Sequence, residues 1–105
     1  MAGEHVIVWR FLVDAGSTTA FERAYGPAGP WARLFGRHPG YRGSELVRGD
    51  EPGAYLTIDH WDAAASFEAF MGEWHDDYAR LDAELAPLTA SEAIVARGSV
   101  VEPGA

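Results

Sequence analysis

The segment HVIVWRFLV, residues 5–13, constrains the fold of this chain more than any other stretch. β-Branched and aromatic residues fill it, which is typical of a strand that is buried on both faces. Side-chain alternation divides it into two apolar sides: Ile7, Trp9, Phe11 and Val13 on one, Val6, Val8 and Leu12 on the other. Only Arg10 interrupts the second side. A sheet built around this strand therefore needs cover on both faces.

The remaining patterns predict the element order β, α, β, β, α, β. STTAFERAY and a short segment that begins at Pro30 form an interrupted first helical region, and YRGSELVR and AYLTIDHW are joined as a hairpin by GDEPG. From Asp62 to Pro87 the apolar period changes to 3.6 residues, which predicts a helix with a kink at Gly72, and SEAIVARG is a last strand. This order matches the ferredoxin-like α+β fold, an antiparallel sheet with helices on one face. Residues 1–105 are one domain, with an ordered core at about 5–98 and a tail at 99–105.

Helices on one face of the sheet leave the other face without cover. A contiguous apolar sheet face is unusual on a monomer, so the sequence predicts a homodimer in which two sheets pack face to face. The alternative is that the tail or a loop covers this face.

Composition narrows the classes of function. The 105 residues carry a formal charge of −8, and all eight basic residues are Arg, so a nucleic-acid partner is not expected. The chain has no cysteine and hence no sulfur-ligated metal, and no metal site is predicted. No apolar run approaches the roughly 20 residues of a membrane span, and we expect a cytoplasmic protein without a membrane partner.

The segments WARLF, HPGY and YLTIDHW, followed by an aromatic helix, resemble the antibiotic biosynthesis monooxygenase family. The resemblance implies a dimeric α/β barrel with a pocket between sheet and helices in each subunit. Members of the family include cofactor-independent oxygenases of phenolic polyketides, haem-degrading enzymes and isomerase-like enzymes.

The family's functional residues carry over only in part. Oxygenase members present an Asn four residues before a Trp on the third strand, and this chain has Thr57 and Trp61 there. Their pocket Tyr falls on Phe67. The functional set of haem-degrading members, an Asn, a Trp and a His, falls near Trp9, Phe70 and Arg80. Because the chain has no Asn, the family's catalytic Asn is absent.

The stretch TIDHWD ends the third strand. Alternation directs Thr57, Asp59 and Trp61 towards the helices and His60 towards the other face. Asp62 is predicted to be the N-cap of the following helix. Burial beneath aromatic rings would raise the pKa of Asp59 into the range of a general base, whereas an ion pair or a strand-end position in water would leave it a surface carboxylate.

Two further groups are candidates for catalysis. His75 could act as a proton acceptor at the rim of the pocket, and the alternative is an exposed position among acidic neighbours. Tyr78 could donate a hydrogen bond to a substrate oxyanion. The residues predicted to bind the substrate are Trp61, Trp9, Thr57, Tyr25, Phe67, Phe70 and Met71. The alternative is that these side chains only form the hydrophobic core.

These residues and the resemblance lead to one principal hypothesis of function. The chain is expected to be a cofactor-independent monooxygenase of secondary metabolism that acts on an aromatic, phenolic, polyketide-like molecule. One alternative is haem binding or degradation with His75 as axial ligand. Another is a non-catalytic dimeric protein that binds a small molecule, or whose pocket is filled by its own rings.

Overall fold

The computed structural model describes residues 4–102 and shows four strands and three α-helices in the predicted order. The strands are β1 (His5–Leu12), β2 (Tyr41–Arg48), β3 (Ala54–Trp61) and β4 (Ser91–Ser99). The helices are α1 (Thr18–Tyr25), α2 (Pro30–Phe35) and α3 (Ala64–Leu85), and short 3₁₀ turns occupy Ala15–Ser17 and Ala86–Leu88. The α+β, ferredoxin-like prediction is confirmed, including the interruption between α1 and α2. No helix within residues 4–102 is long and apolar enough to cross a membrane.

The four strands form one antiparallel sheet in the order β2-β3-β1-β4. The central strand β1 pairs Trp9 with Thr57 and Ile7 with Asp59 of β3. Thr57, Asp59 and Trp61 are buried on the helix side, with exposed fractions of 5, 7 and 0%. The predicted alternation along β3 is therefore confirmed, and it brings polar side chains under the helices.

Aromatic side chains fill the space between this sheet face and the helices. Phe21, Trp61 and Phe70 are fully buried, and Trp61 contacts Phe35 and Phe70 at ring-centroid distances of 5.7 and 5.5 Å. Full burial of such a side chain stabilises the fold by about 1.5–3 kcal/mol. The predicted stripe of α3 packs against this core: Phe67, Phe70, Met71, Trp74, Tyr78, Leu81 and Leu85.

Two local predictions about α3 need correction. Asp62 is not the N-cap, because the helix begins at Ala64 and Ala63 occupies the cap position. The Asp62 carboxylate instead accepts a hydrogen bond from Ser66. The irregularity in α3 lies at Trp74 (φ −118°, ψ 24°), two residues after the glycine at which the sequence suggested a kink.

The opposite face of the sheet carries the other apolar side of β1. Val6 and Val8 are half-buried there, as is Ile58 of β3, and Arg10 is exposed. The last described residues do not fold over this face: Val100 donates to the Glu4 carbonyl and prolongs the pairing with β1, and Val101 is 82% exposed.

Candidate active site

A pocket lies between the centre of the sheet and the helices, and half of its lining residues are aromatic. The lining is Trp9, Phe11, Tyr25, Trp31, Ala32, Phe35, Ser44, Thr57, Asp59, Tyr78, Asp82 and Glu92. The enclosed cavity has a volume of about 40 Å³, and the empty space including the open mouth is about 450 Å³. Pockets for drug-sized ligands enclose about 300–1,000 Å³. The interior in this conformation holds only molecules of the size of water, and a larger ligand has to displace side chains at the mouth.

Asp59 supplies the titratable group of the pocket. Asp59 is 7% exposed, and its Oδ1 accepts a hydrogen bond of 2.7 Å from Ser44 Oγ. Burial raises the pKa of Asp59 to about 6, and the hydrogen bond from Ser44 and the charge of His60 oppose this only in part. A carboxylate that titrates close to neutral pH can both accept and return a proton.

A β-bulge in β2 places Ser44 beside Asp59. Tyr41 pairs with Trp61 and Ser44 pairs with Asp59, so three residue steps on β2 match two on β3. Gly43 adopts φ +123° in the bulge, a conformation that other residues rarely adopt. As a result both Tyr41 and Ser44 face the helix side, and their hydroxyls are hydrogen-bonded. Because the Ser44 proton goes to Asp59, the Tyr41 hydroxyl donates to Ser44.

Two tyrosines supply hydrogen-bond donors to the pocket. Burial, together with the charges of Glu92 and Asp82, raises the pKa of Tyr25 to about 12. Burial and the charges of Asp82, Glu92 and Asp59 do the same for Tyr78. Both hydroxyls therefore keep their protons across the physiological range and can donate to a ligand oxygen.

Five of the ten residues predicted from the sequence meet in this pocket. They are Trp9, Tyr25, Thr57, Asp59 and Tyr78. Thr57 occupies the position of the family's Asn and remains on the pocket floor, next to Asp59 on the same face of β3.

The other five predicted residues lie elsewhere. Trp61, Phe67, Phe70 and Met71 pack together at the end of β3, where the rings of Trp61 and Phe67 are 5.4 Å apart, and they belong to the core. The side chain of His75 is 67% exposed and lies 2.9 Å from Asp76. This is the exposed position among acidic neighbours that the sequence offered as the alternative.

Several pocket residues were not found from the sequence: Trp31, Ser44, Asp82 and Glu92. For Ser44 a signal was present, because a glycine inside a strand pattern, as in YRGS, indicates a bulge that redirects the next side chain. Asp82 lies on α3 and Glu92 on β4, and only the folded structure shows that both line one pocket.

No His, Met or Cys belongs to the pocket lining within the described chain, so a haem in this pocket would need Tyr25 or Tyr78 as its axial ligand. No group of three or more potential metal ligands occurs in residues 4–102.

Comparison with known proteins places this geometry in context. The family model described as antibiotic biosynthesis monooxygenase matches residues 5–80, more than two thirds of the chain. A comparison with curated proteins gave no match.

Solved structures share the fold at low sequence identity. A Nitrosomonas europaea protein named for this family superposes with a TM-score of 0.72 at 17% identity, covering 98% of this chain and 95% of its own. A Caulobacter crescentus CB15 protein named for the same family gives 0.71 at 20% identity, with coverages of 96 and 92%. SnoaB, a cofactor-independent oxygenase from Streptomyces nogalater, gives 0.64 at 22% identity, with coverages of 97 and 99%.

Proposed function

Because the chain belongs to the antibiotic biosynthesis monooxygenase family, we propose that it oxidises an aromatic, phenolic small molecule with dioxygen and without a bound cofactor. The observation that carries this proposal is Asp59, a buried carboxyl with a pKa of about 6 in an aromatic pocket. The description of SnoaB as a cofactor-independent oxygenase supports the same class of reaction.

The proposed reaction starts with proton transfer. The Asp59 carboxylate takes a proton from an activated C–H or O–H of the substrate, and the electron-rich anion passes one electron to dioxygen. Recombination of the two radicals forms a C–O bond, and the peroxide takes the proton back from Asp59. For a substrate CH₂ group, loss of water then leaves a carbonyl, so one CH₂ and one O₂ give one C=O and one H₂O.

The surrounding residues have distinct parts in this proposal. Ser44, held by Tyr41, orients the Asp59 carboxylate through the 2.7 Å hydrogen bond. The hydroxyls of Tyr25 and Tyr78 donate to the developing oxyanion. Trp9, which is only half-buried, shifts to admit the substrate ring, because the interior is too small for it in the present conformation.

Oxygen uptake with a panel of anthrones and naphthols tests the proposal. The protein should accelerate uptake with at least one substrate, and Asp59→Asn should lower the rate at least about 100-fold, as expected for loss of a general base. Glu84→Gln, an exposed charge change on α3, is the matched control and should leave the rate unchanged. Equal uptake with and without protein would reject the proposal, and loss of activity in His75→Ala but not in Asp59→Asn would reject Asp59 as the base.

A second candidate function is non-catalytic binding of a small molecule. The small interior volume of about 40 Å³ favours it, because the rings of the protein fill most of the pocket. Ligand binding that is unaccompanied by oxygen uptake with any substrate would support this candidate instead.

The proposed assembly is a homodimer formed through the uncovered sheet face. Support comes from the half-buried Val6, Val8 and Ile58 and from Val100, which pairs with Glu4 beside β1 and does not cross the face. Burial of this face against a second copy would remove its apolar side chains from water. The cytoplasmic location expected from the sequence stays a prediction.

A further inference from the structure

The mouth of the pocket is acidic and has no basic counterpart. Asp82 of α3 and Glu92 of β4 line it, and Asp59 lies deeper on β3. Within residues 4–102, neither Asp82 nor Glu92 makes an ion pair, and no Arg or His belongs to the pocket lining. Burial is the main cause that raises the pKa of Glu92, and the negative charge of Asp82 raises it further, so the two carboxylates interact. A neutral or anionic ligand leaves this charge uncompensated.

The pocket also contains a hydrogen-bond donor that lacks a partner. Trp31 is 9% exposed and lines the pocket, and its Nε1–H has no acceptor among the described residues. The interaction of this N–H with the Tyr25 hydroxyl, which lowers the pKa of that group against the larger effect of burial, falls short of a hydrogen bond of ordinary geometry. A buried donor without an acceptor is costly, so a ligand that brings an acceptor to this position gains affinity.

Aromatic rings stand next to the acidic mouth. The rings of Trp31 and Tyr78 are 5.0 Å apart and those of Tyr25 and Trp31 are 6.1 Å apart. The faces of such rings carry negative electrostatic potential and attract ligand cations, and the attraction increases where water is excluded. Rings and carboxylates therefore favour the same sign of ligand charge.

From this arrangement we infer that the preferred ligand is a planar aromatic molecule that bears a positive charge, either a protonated amine or a quaternary nitrogen. Its charged end lies at Asp82 and Glu92, its ring lies against Trp31, and an oxygen or nitrogen acceptor meets the Trp31 Nε1–H. This inference rests on the proposed function, for which it names the substrate class. It also removes an electrostatic obstacle, because proton transfer from a cationic substrate to Asp59 leaves a neutral or zwitterionic species near the acidic mouth, whereas a neutral substrate would leave an anion.

Binding of three probes of similar size and different charge tests the inference. The probes are 1-methylquinolinium, 2-naphthol and 2-naphthoate, titrated at pH 7.5 by isothermal calorimetry and by quenching of tryptophan fluorescence. The cation should bind at least about tenfold more tightly than the neutral phenol, and the anion most weakly. Added salt should weaken cation binding and leave 2-naphthol unaffected.

Two variants and a matched control locate the charge. Asp82→Asn and Glu92→Gln should each weaken binding of 1-methylquinolinium severalfold without changing the affinity for 2-naphthol. Glu84→Gln removes a charge from the same helix outside the pocket and should leave both affinities unchanged. Equal affinities for cation and neutral probe, the same loss in Glu84→Gln as in Asp82→Asn, or binding of none of the probes would overturn the inference.

The outcome is separable from that of the proposed function, since these titrations need neither turnover nor dioxygen. Cation preference without oxygen uptake on any substrate would refute the oxygenase proposal alone. Oxygen uptake with neutral phenols together with no preference for the cation would refute the cationic ligand alone.

Discussion

Replacement of Asp59 by Asn should stabilise the fold at neutral and alkaline pH. Burial raises the pKa of Asp59 from the usual 3.8 to about 6, and each pKa unit corresponds to about 1.4 kcal/mol, so ionisation in the folded state costs about 3 kcal/mol of stability. Asn has nearly the same shape, can still accept from Ser44 through its carbonyl oxygen, and does not ionise. The free energy of unfolding of Asp59→Asn should therefore exceed that of the parent by up to about 3 kcal/mol at pH 8.

The direction of this pH dependence of stability follows from proton binding. Between pH 3.8 and about 6 the folded state holds more protons on Asp59 than the unfolded state, so stability from this group falls as pH rises through that window. Above the window the loss is complete, and below it the parent and the variant should be equally stable. The gain in the variant is thus pH-dependent and appears between about pH 4 and 6.

Urea denaturation followed by tryptophan fluorescence at pH 4, 5, 6, 7 and 8 measures this difference. Protein concentration is held fixed, because assembly would change the apparent stability. Other titrating groups cancel in the comparison of parent and variant, and Glu84→Gln controls for the loss of one negative charge from a chain of net charge −8. Destabilisation of Asp59→Asn by the same amount at every pH would refute the electrostatic reasoning.

Three further predictions concern the pH profile, the bulge and the assembly. If Asp59 is the base, kcat/KM for oxygen uptake should rise with pH with a midpoint near 6. Ser44→Ala should move this midpoint upwards, because the Ser44 hydrogen bond lowers the pKa of Asp59. An unchanged midpoint would contradict the influence of Ser44 on Asp59. Gly43→Ala should lower the free energy of unfolding by about 1–3 kcal/mol in urea denaturation, because φ +123° strains any side chain while no atom lies within 4 Å of the new Cβ; unchanged stability would show that the bulge relaxes without cost. Val8→Glu should convert a dimer into a monomer in sedimentation velocity, and a dimer that persists would place the interface elsewhere.

Much of the fold follows from periodicity. Strand alternation is fixed by the backbone, so the sequence alone could assign Thr57, Asp59 and Trp61 to one side. The same logic found the apolar stripe of α3. Helix caps and β-bulges are harder to predict from sequence, because they depend on hydrogen bonds to residues in other elements. The Asp62 carboxylate accepts from Ser66 and the Asp62 backbone N–H pairs with Gly40, while Ala63 occupies the cap position that the sequence assigned to Asp62.

The candidate site divides along similar lines. Asp59 and Tyr78 were identifiable as a titratable group and a donor on faces that meet. The sequence could not distinguish pocket residues from core residues, because Trp61 and Phe70 have the same apolar pattern as the lining residues. Only three-dimensional packing fills the space around these two rings. For His75 the sequence left two positions open, and the structure shows the exposed one beside Asp76.

The order of elements, the two apolar sides of β1 and the side of the sheet on which Asp59 lies follow from the amino-acid sequence, because each depends on the short-range geometry of a strand or helix. Which polar groups share one cavity depends on three-dimensional packing. Ser44 reaches Asp59 through a bulge in the neighbouring strand. Asp82 of α3 and Glu92 of β4 line the same pocket, and their charges interact. Such encounters join residues on different elements, and their distances are set by the packing of the whole domain.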